Sequence, residues 1–274
     1  MSDHGRTLRW VWTLALAVAA LYVGACALVY AASRALTFAP TILSAEHAQA
    51  FARRAQLVPW DDARGDRVGW FRPRPHARVR LVVFHGNAGT ALDRVFYAES
   101  FAADAEVWLF EYPGYGDRPG APSREAFLAS AAAALDALAA ADPRPLYLFG
   151  ESIGSGTAAE LAGRFPEQVA GVVFMIPFAR LADVAARLVR ALPARWLLRD
   201  DFDNVAALRG YRGPIVVVVA ERDEVVGADE GRRLHETYAG PKTLVMMPGA
   251  GHNDFPIGPA APWVGAVRQA LFAR

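Results

Sequence analysis

The sequence has almost no cysteine, and its positive and negative charges nearly cancel. Only one of the 274 residues, Cys26, is a cysteine, so no intrachain disulfide can form. Because Cys26 lies in an apolar run, we do not expect it to be a thiol nucleophile. The 29 basic and 28 acidic residues leave a formal net charge of +1, without a run of lysine or arginine. Binding to a phosphate backbone needs such clustered charge, and we therefore expect no nucleic-acid partner.

The N-terminal region contains a long stretch with almost no charge. Arg9 is the only charged residue between positions 8 and 32, and residues 10–32 are numerous enough to cross a hydrocarbon core of about 30 Å as a helix. We predict a membrane anchor over residues 1–34, with the lipid bilayer as its partner. A cleaved signal peptide and a lipoprotein signal ending at Cys26 are the alternatives, but the apolar run continues past Cys26. Arginines flank both ends, so the sequence does not indicate the side of the membrane.

The remainder of the chain alternates between two hydrophobic patterns. Residues 35–66 are predicted to be a linker and the entry segment of the domain, and residues 67–274 to form that one domain. Short apolar runs rich in β-branched residues predict strands at 68–72, 79–84, 106–112, 145–150, 169–176, 214–220 and 243–247. Helical patterns lie between them, at 90–103, 123–141, 154–165, 228–238 and 259–272. This alternation predicts an α/β fold whose mostly parallel sheet has helices on both faces.

One segment interrupts this alternation. Residues 177–213 are rich in leucine, arginine and alanine, with Pro193 in the middle and the acidic stretch of Asp200, Asp201 and Asp203 near the end. We predict that they form a small cap inserted after one strand.

A serine motif follows the fourth predicted strand. Residues 150–154 have the pattern G-x-S-x-G, centred on Ser152, directly before a predicted helix. A serine at such a strand-to-helix turn exposes its hydroxyl, and the flanking glycines avoid steric collisions in the turn. Ser152 is therefore the candidate nucleophile.

A serine nucleophile requires a base, and the base requires an acid that orients it. His252 lies in a glycine-rich loop after the last predicted strand and is the candidate base. Asp223 follows the strand at 214–220 and is the candidate acid, with Glu221 and Glu224 as weaker alternatives. Asp200, Asp201 and Asp203 in the predicted cap are weaker candidates for this acid than Asp223, Glu221 and Glu224. The three candidates follow one another along the chain in the order serine, acid, histidine.

Two backbone N–H groups are needed to stabilise the oxyanion of the reaction. The N–H of Ile153 is one candidate by its position after the nucleophile. The second is the N–H of Asn87 in the glycine-containing loop 85–89. His85 in the same loop is predicted to be structural.

These motifs together resemble the α/β-hydrolase superfamily. They are His-Gly-Asn-Ala-Gly at 85–89, Tyr-Pro-Gly-Tyr-Gly at 112–116, the serine motif, Asp223 and Gly-His-Asn at 251–253. More narrowly, the chain resembles the membrane-tethered group to which the protein depalmitoylases belong, although Asp117 and Arg118 stand where relatives commonly have a serine. The resemblance implies serine hydrolase chemistry, with no metal or organic cofactor, on a small-molecule or acylated substrate.

The motifs are compatible with three different functions. The first is hydrolysis of a carboxylic ester or thioester by Ser152, His252 and Asp223. The second is dinucleotide binding, since Gly154, Gly156 and Ala159 form G-x-G-x-x-A; however, no acid for a ribose follows at the required distance. The third is a non-catalytic, membrane-tethered scaffold that keeps the fold, and the complete set of catalytic residue types argues against it.

Overall fold

The computed structural model describes residues 3–62 and 64–273, and residues 3–5 by their backbone only. The start of the predicted anchor, position 63 of the predicted linker and the last residue of the predicted domain lie outside the described residues.

Eight strands form one sheet at the centre of the domain. They are β1 (Val58–Asp61), β2 (Arg67–Phe71), β3 (Val79–Phe84), β4 (Ala105–Phe110), β5 (Leu146–Glu151), β6 (Val169–Met175), β7 (Ile215–Ala220) and β8 (Lys242–Met247). Their order across the sheet is β1-β2-β4-β3-β5-β6-β7-β8. The first two strands pair antiparallel to their neighbours, and the other six are parallel. Each of the seven predicted strands overlaps one of the strands β2 to β8.

Helices cover both faces of the sheet. They are α1 (Asp3–Thr37), α2 (Ala45–Arg54), α3 (Val95–Ser100), α4 (Arg124–Ala141), α5 (Gly154–Arg164), α6 (Leu181–Leu188), α7 (Ala194–Leu197), α8 (Asn204–Ala207), α9 (Ala228–Thr237) and α10 (Pro262–Val267). Side chains of β3 alternate between two cores: Val82 and Phe84 pack with α4, α5 and α9, whereas Leu81 and Val83 pack with α2, α3 and α10. Burial on both faces explains why the central strands are almost continuously apolar.

The predicted linker contains regular structure. Helix α2 and strand β1 lie within residues 35–66, and β1 pairs with β2 so that Trp60 is opposite Gly69. The sequence signal for both elements is weak, since α2 buries only Ala48 and Ala52, and β1 is a short edge strand that contains Pro59. This part of the chain is therefore attached to the sheet instead of forming an extended linker.

The segment 177–213 lies between β6 and β7 and contains three short helices, α6, α7 and α8. Helix α7 packs against the C-terminal half of α1, and α8 packs against α5. The close approach of α8 depends on Gly163 of α5, because a Cβ atom there would collide with the carbonyl oxygen of Ala207.

Helix α1 projects from this domain. It is 35 residues long, and its apolar side chains Trp10, Leu14, Leu21 and Leu28 are exposed. Its length and composition are sufficient to cross a membrane, and a signal sequence has the same properties.

The contact between α5 and α8 gives a stability prediction. Gly163→Ala should lower the free energy of unfolding by about 1–3 kcal/mol, because the added methyl group forces the two helices apart. The matched control is Gly265→Ala in α10, where nothing lies within 4 Å of the added Cβ atom. That change should raise the free energy of unfolding by about 0.5–1 kcal/mol, because alanine is the better helix former. Thermal unfolding of the full chain in detergent micelles measures both; equal effects of the two changes would contradict the packing argument.

Candidate active site

Ser152 occupies the turn between β5 and α5. Its φ of +51° lies in the left-handed region, which costs a non-glycine residue about 1–3 kcal/mol. The turn is held by a hydrogen bond from the Ser152 N–H to the carbonyl oxygen of Met175, at 2.9 Å. Glycine is required on either side, since a Cβ atom at Gly150 would collide with Ser155 and one at Gly154 with the carbonyl oxygen of Phe84. The structure therefore has the tight turn that the serine motif predicts.

His252 and Asp223 reach Ser152 from neighbouring strands. The strands β5, β6, β7 and β8 are parallel and adjacent, so the segments that follow them meet at one edge of the sheet. Asp223 follows β7 and His252 follows β8. The Ser152 Oγ atom lies 3.1 Å from His252 Nε2, and His252 Nδ1 lies 2.8 Å from Asp223 Oδ2. The three predicted residues thus form one continuous chain of hydrogen bonds.

Asp223 is held as a carboxylate by its surroundings. Its side chain is only 3% exposed, and Oδ1 accepts hydrogen bonds from the N–H groups of Val225, Val226 and Gly227 at 3.0, 2.8 and 3.2 Å. Burial alone would raise the pKa of Asp223, but the hydrogen bond and charge of His252, together with the backbone N–H groups, lower the pKa below its ordinary value. An ionised Asp223 favours the His252 tautomer with its proton on Nδ1, which leaves Nε2 unprotonated and facing the Ser152 hydroxyl.

The weaker acidic candidates have other partners. Glu224 accepts a hydrogen bond from the backbone N–H of His252 at 3.2 Å, and Glu221 accepts one from that of Gly249 at 2.8 Å. Both carboxylates therefore support the histidine loop without contacting the imidazole.

The acidic residues of the cap also lie away from the imidazole. Asp200 pairs with Arg34 of α1, Asp201 pairs with Arg180, and Asp203 caps α8.

The two predicted oxyanion donors line the same cavity as Ser152. Within the described residues, no hydrogen bond engages the backbone N–H of Ile153 or of Asn87. The Asn87 side chain, by contrast, is fully engaged with the end of α1 and the residues beyond it. Its Nδ2 donates to the carbonyl oxygen of Thr37 at 2.7 Å, and its Oδ1 accepts from the Ala39 N–H and the Tyr115 hydroxyl, both at 2.9 Å. The sequence alone did not reveal this contact.

A partly buried ion pair beside Ser152 was also missed. Arg94 contacts both carboxylate oxygens of Glu151, at 2.5 and 3.0 Å, and the Tyr97 hydroxyl donates to Glu151 at 2.9 Å. Burial alone would raise the pKa of Glu151, but the charge and hydrogen bonds of Arg94 and the hydroxyl of Tyr97 lower it. Arg94 also approaches the carbonyl oxygen of Ala88, so the pair connects the serine turn to the loop 85–89. The only sequence signal for this ion pair was the acidic residue Glu151 inside the serine motif.

His85 contacts neither Ser152 nor Asp223 in this arrangement. Its Nε2 lies 2.9 Å from the Glu111 carboxylate, and its Nδ1 lies 2.7 Å from the carbonyl oxygen of Gly86. In residues 3–62 and 64–273, no three histidine, cysteine or carboxylate side chains are grouped as metal ligands would be.

A cavity of about 420 Å³ opens above Ser152. Polar groups of Ser152, His252, Asn87 and Glu151 lie at its base. Apolar cap residues form its sides, among them Phe178, Leu181, Val184 and Leu188, and Leu36 of α1 completes the wall. Such a cavity suits a substrate with a reactive polar group and an apolar body.

The Glu151–Arg94 pair gives a pH prediction. Because the pKa of Glu151 is lower in the folded chain than its unfolded value of about 4.3, the carboxylate stabilises the fold above that pH. This contribution is lost as the pH falls through the lower pKa of the folded chain. Glu151→Gln should therefore be less stable than wild type by about 1–3 kcal/mol at pH 7, and the difference should shrink below about pH 4.

Thermal unfolding between pH 7 and pH 3 measures this difference. Glu167→Gln, at an exposed carboxylate, is the matched control and should change stability little at any pH. Parallel pH curves for wild type and Glu151→Gln would contradict the prediction.

Comparison with known proteins identifies the family to which this fold belongs. Residues 79–208 match the family profile described as alpha/beta hydrolase fold. An uncharacterized protein of Mycobacterium tuberculosis is 32% identical over 264 residues, covering 93% of this chain and 92% of its own length. Alpha/beta hydrolase domain-containing protein 17B of Homo sapiens is 26% identical over 199 residues, covering 70% of this chain and 67% of its own length.

Solved structures share the fold at low sequence identity. An esterase of Pyrococcus furiosus superimposes with a TM-score of 0.65 at 15% identity and covers 86% of this chain and 97% of its own. An esterase of a Rhodococcus species gives a TM-score of 0.58 at 18% identity, over 80% of this chain and 99% of its own. The predicted fold class and the predicted relationship to the group that includes the depalmitoylases are confirmed. This chain is therefore a member of the α/β-hydrolase family, as both its sequence relatives and its fold show.

Proposed function

We propose that this hydrolase cleaves a carboxylic ester or thioester through an acyl-enzyme on Ser152. One observation carries the proposal: Ser152 Oγ, the two ring nitrogens of His252 and Asp223 Oδ2 lie in hydrogen-bonded series, with separations of 3.1 and 2.8 Å. This series supplies the nucleophile, the base and the orienting acid that acyl transfer requires. Its position at the base of a largely apolar cavity supports a substrate with an acyl group.

The first half of the reaction forms the acyl-enzyme. The Ser152 oxygen attacks the carbonyl carbon of the substrate while His252 Nε2 accepts the hydroxyl proton. The carbonyl oxygen becomes negatively charged, and the N–H groups of Ile153 and Asn87 donate to it. When the bond from the carbonyl carbon to the leaving oxygen or sulfur breaks, His252 returns the proton to that atom. The leaving group departs as an alcohol or thiol.

The second half releases the acid. A water molecule attacks the acyl carbonyl carbon, and His252 Nε2 accepts a proton from the water. The bond to Ser152 Oγ then breaks, and the oxygen regains its proton from His252. Asp223 remains ionised throughout and stabilises the imidazolium that forms twice in each cycle. The low pKa of Asp223 supports this role.

The hydrolase activity is tested by labelling the full chain in isolated membranes with a fluorophosphonate probe. Wild type should label, Ser152→Ala should not, and His252→Ala should label at least about 10³-fold more slowly because the base is lost. Asp223→Asn should slow labelling by a factor of about 10⁴, because it favours the wrong histidine tautomer.

The matched control is Ser155→Ala, three residues further along the chain in the first turn of α5. The Ser155 hydroxyl accepts a hydrogen bond from Asn204, away from His252, so this variant should label as wild type does. Absence of labelling in wild type, or equal labelling of Ser152→Ala, would reject the proposal in favour of the non-catalytic scaffold.

We further propose that α1 is an uncleaved membrane anchor. Its exposed apolar surface supports this function, as does the attachment of its C-terminal end to the domain. Arg34 pairs with Asp200 at 2.9 Å, and the hydroxyl of Ser33 accepts from the Arg199 N–H at 3.0 Å. Removal of all of residues 1–34 would leave the buried Asp200 carboxylate without Arg34 and the Arg199 N–H without its acceptor.

An alkaline carbonate wash of membranes tests the anchor. Because a spanning helix is held by its apolar surface, the full-length chain should remain in the membrane pellet. Its mass should include residues 1–34. A shortened chain in the soluble fraction would instead support a cleaved signal, and a lipid modification on an N-terminal Cys26 would support a lipoprotein.

A further inference from the structure

The loop 85–89, which carries Asn87, has no regular structure of its own. No backbone–backbone hydrogen bond joins one of these five described residues to another. An oxyanion donor is effective only if it is fixed before the reaction starts, because an N–H group that must first reorient costs free energy. The position of the Asn87 N–H therefore depends on side chains that hold the loop.

Glu111, the residue directly after β4, contacts both ends of this loop. Its Oε1 lies 2.9 Å from His85 Nε2, and its Oε2 accepts from the Ala91 N–H, just beyond the loop, at 3.0 Å. His85 Nδ1 carries a proton, since it lies 2.7 Å from the carbonyl oxygen of Gly86, which can only accept. A second proton lies between Nε2 and Oε1, because two lone pairs would repel each other there. The imidazole thus links the carboxylate to Gly86, the residue before Asn87.

The Glu111–His85 pair is enclosed by the protein. Each of the two side chains is only 1% exposed. Gly116, whose φ is +57°, passes so close to the carboxylate that a Cβ atom at this position would collide with Glu111 Oε2. A carboxylate without water is stable only where protein donors replace the lost hydration. The two donors at the ends of the loop therefore hold Glu111 in place, and Glu111 holds them.

The two tyrosines of the motif at 112–116 contact the same loop. The Tyr112 hydroxyl donates to the carbonyl oxygen of His85 at 3.1 Å, and the Tyr115 hydroxyl donates to Asn87 Oδ1 at 2.9 Å. Both tyrosine side chains are fully buried. Residues 111–116 thus contact the loop at its beginning, at its middle and just beyond its end. This arrangement accounts for the Tyr-Pro-Gly-Tyr-Gly motif, which the catalytic residues alone leave unexplained.

We propose that Glu111 is a positioning residue for the reaction: through His85 and Ala91 it holds the loop so that the Asn87 N–H faces the oxyanion. The proposal rests on the hydrolase function described above and adds a residue that does not touch the substrate. Because the oxyanion forms in both halves of the reaction, a displaced Asn87 N–H weakens both transition states. The bound substrate carries no oxyanion before the reaction, so its binding depends little on this N–H.

The test compares Glu111→Gln with wild type, both as the full chain in detergent micelles. The glutamine amide has one acceptor oxygen for two donors, so one end of the loop loses its partner. We expect kcat for p-nitrophenyl butyrate to fall by a factor of about 10 to 100, because a small displacement of a catalytic group is sufficient for such a loss. The KM should stay within about twofold of the wild-type value.

Two inhibitors separate positioning from a general defect of the cavity. Trifluoromethyl hexyl ketone forms a bond from its carbonyl carbon to Ser152 Oγ, while the serine proton passes to His252 and the carbonyl oxygen becomes an oxyanion. Methyl hexyl ketone occupies the cavity without this adduct. In Glu111→Gln, the inhibition constant of the trifluoromethyl ketone should rise by the same factor as kcat falls. The inhibition constant of the methyl ketone should not change.

The matched control is Glu106→Gln, at the opposite end of the same strand. The Glu106 carboxylate is also buried, and it likewise binds a backbone N–H and a cation: the Arg74 N–H at 2.8 Å and the Arg144 guanidinium at 2.8 Å. Thermal unfolding should show a loss of stability in both glutamate variants. A purely structural role predicts that both also keep their activity, whereas the positioning role predicts that only Glu106→Gln keeps the kcat of wild type.

Tyr115→Phe provides a second variant in case Glu111→Gln does not fold. It removes the hydroxyl that holds Asn87 but no buried charge, and kcat should fall by a factor of about 3 to 10 at unchanged KM. Its control is Tyr211→Phe, which removes an equally buried hydroxyl bonded to the carbonyl oxygen of Val169, at the start of β6. That variant should keep the kcat of wild type.

Three results would overturn the proposal. Ser152-dependent hydrolysis that is as fast in Glu111→Gln and Tyr115→Phe as in wild type would reject the positioning role and leave the hydrolase function intact. Equal rises of both inhibition constants in Glu111→Gln would do the same, because the cavity itself would then be damaged. Absence of both Ser152-dependent hydrolysis and fluorophosphonate labelling in wild type would reject the hydrolase function together with the role of Glu111.

Discussion

The site depends on the backbone conformation of one residue. At Ser152 the chain leaves β5 and immediately enters α5, which forces φ to +51° and directs the hydroxyl towards the cavity. Gly150 and Gly154 permit this because the backbone passes too close to Ser155 and Phe84 for any side chain. The parallel strands then bring the loops that follow β7 and β8 to the same edge, where His252 and Asp223 meet the serine.

Two carboxylates near Ser152 are each held by several hydrogen bonds. Asp223 is fixed by three backbone N–H groups, and Glu151 is fixed by Arg94 and Tyr97. Each carboxylate is costly to bury alone, and the compensating contacts exist only in the folded arrangement. The position of Ser152 therefore depends on contacts that only the folded domain supplies.

The features that could be predicted from the sequence are those that short stretches of residues determine. The parallel strands are long apolar runs, and the serine turn has its glycines at fixed positions, so both were recognised without the structure. Helix α2 and strand β1 were missed because each is short and buries few large side chains: α2 buries only Ala48 and Ala52, and β1 buries only Trp60. The Arg94–Glu151 pair was missed because its two residues are 57 positions apart, with α3, β4 and α4 between them.

The contact of Asn87 with α1 links the catalytic loop to the N-terminal helix. Thr37 and Ala39 satisfy both ends of the Asn87 amide, and the same residue offers its backbone N–H to the cavity. A shortened chain that starts after α1 would lose the Thr37 partner, the Leu36 wall and the Arg34–Asp200 pair together. Helix α1 is consequently a structural component of the site around Ser152. A fragment that lacks this helix would have a site with a different wall and a differently held Asn87.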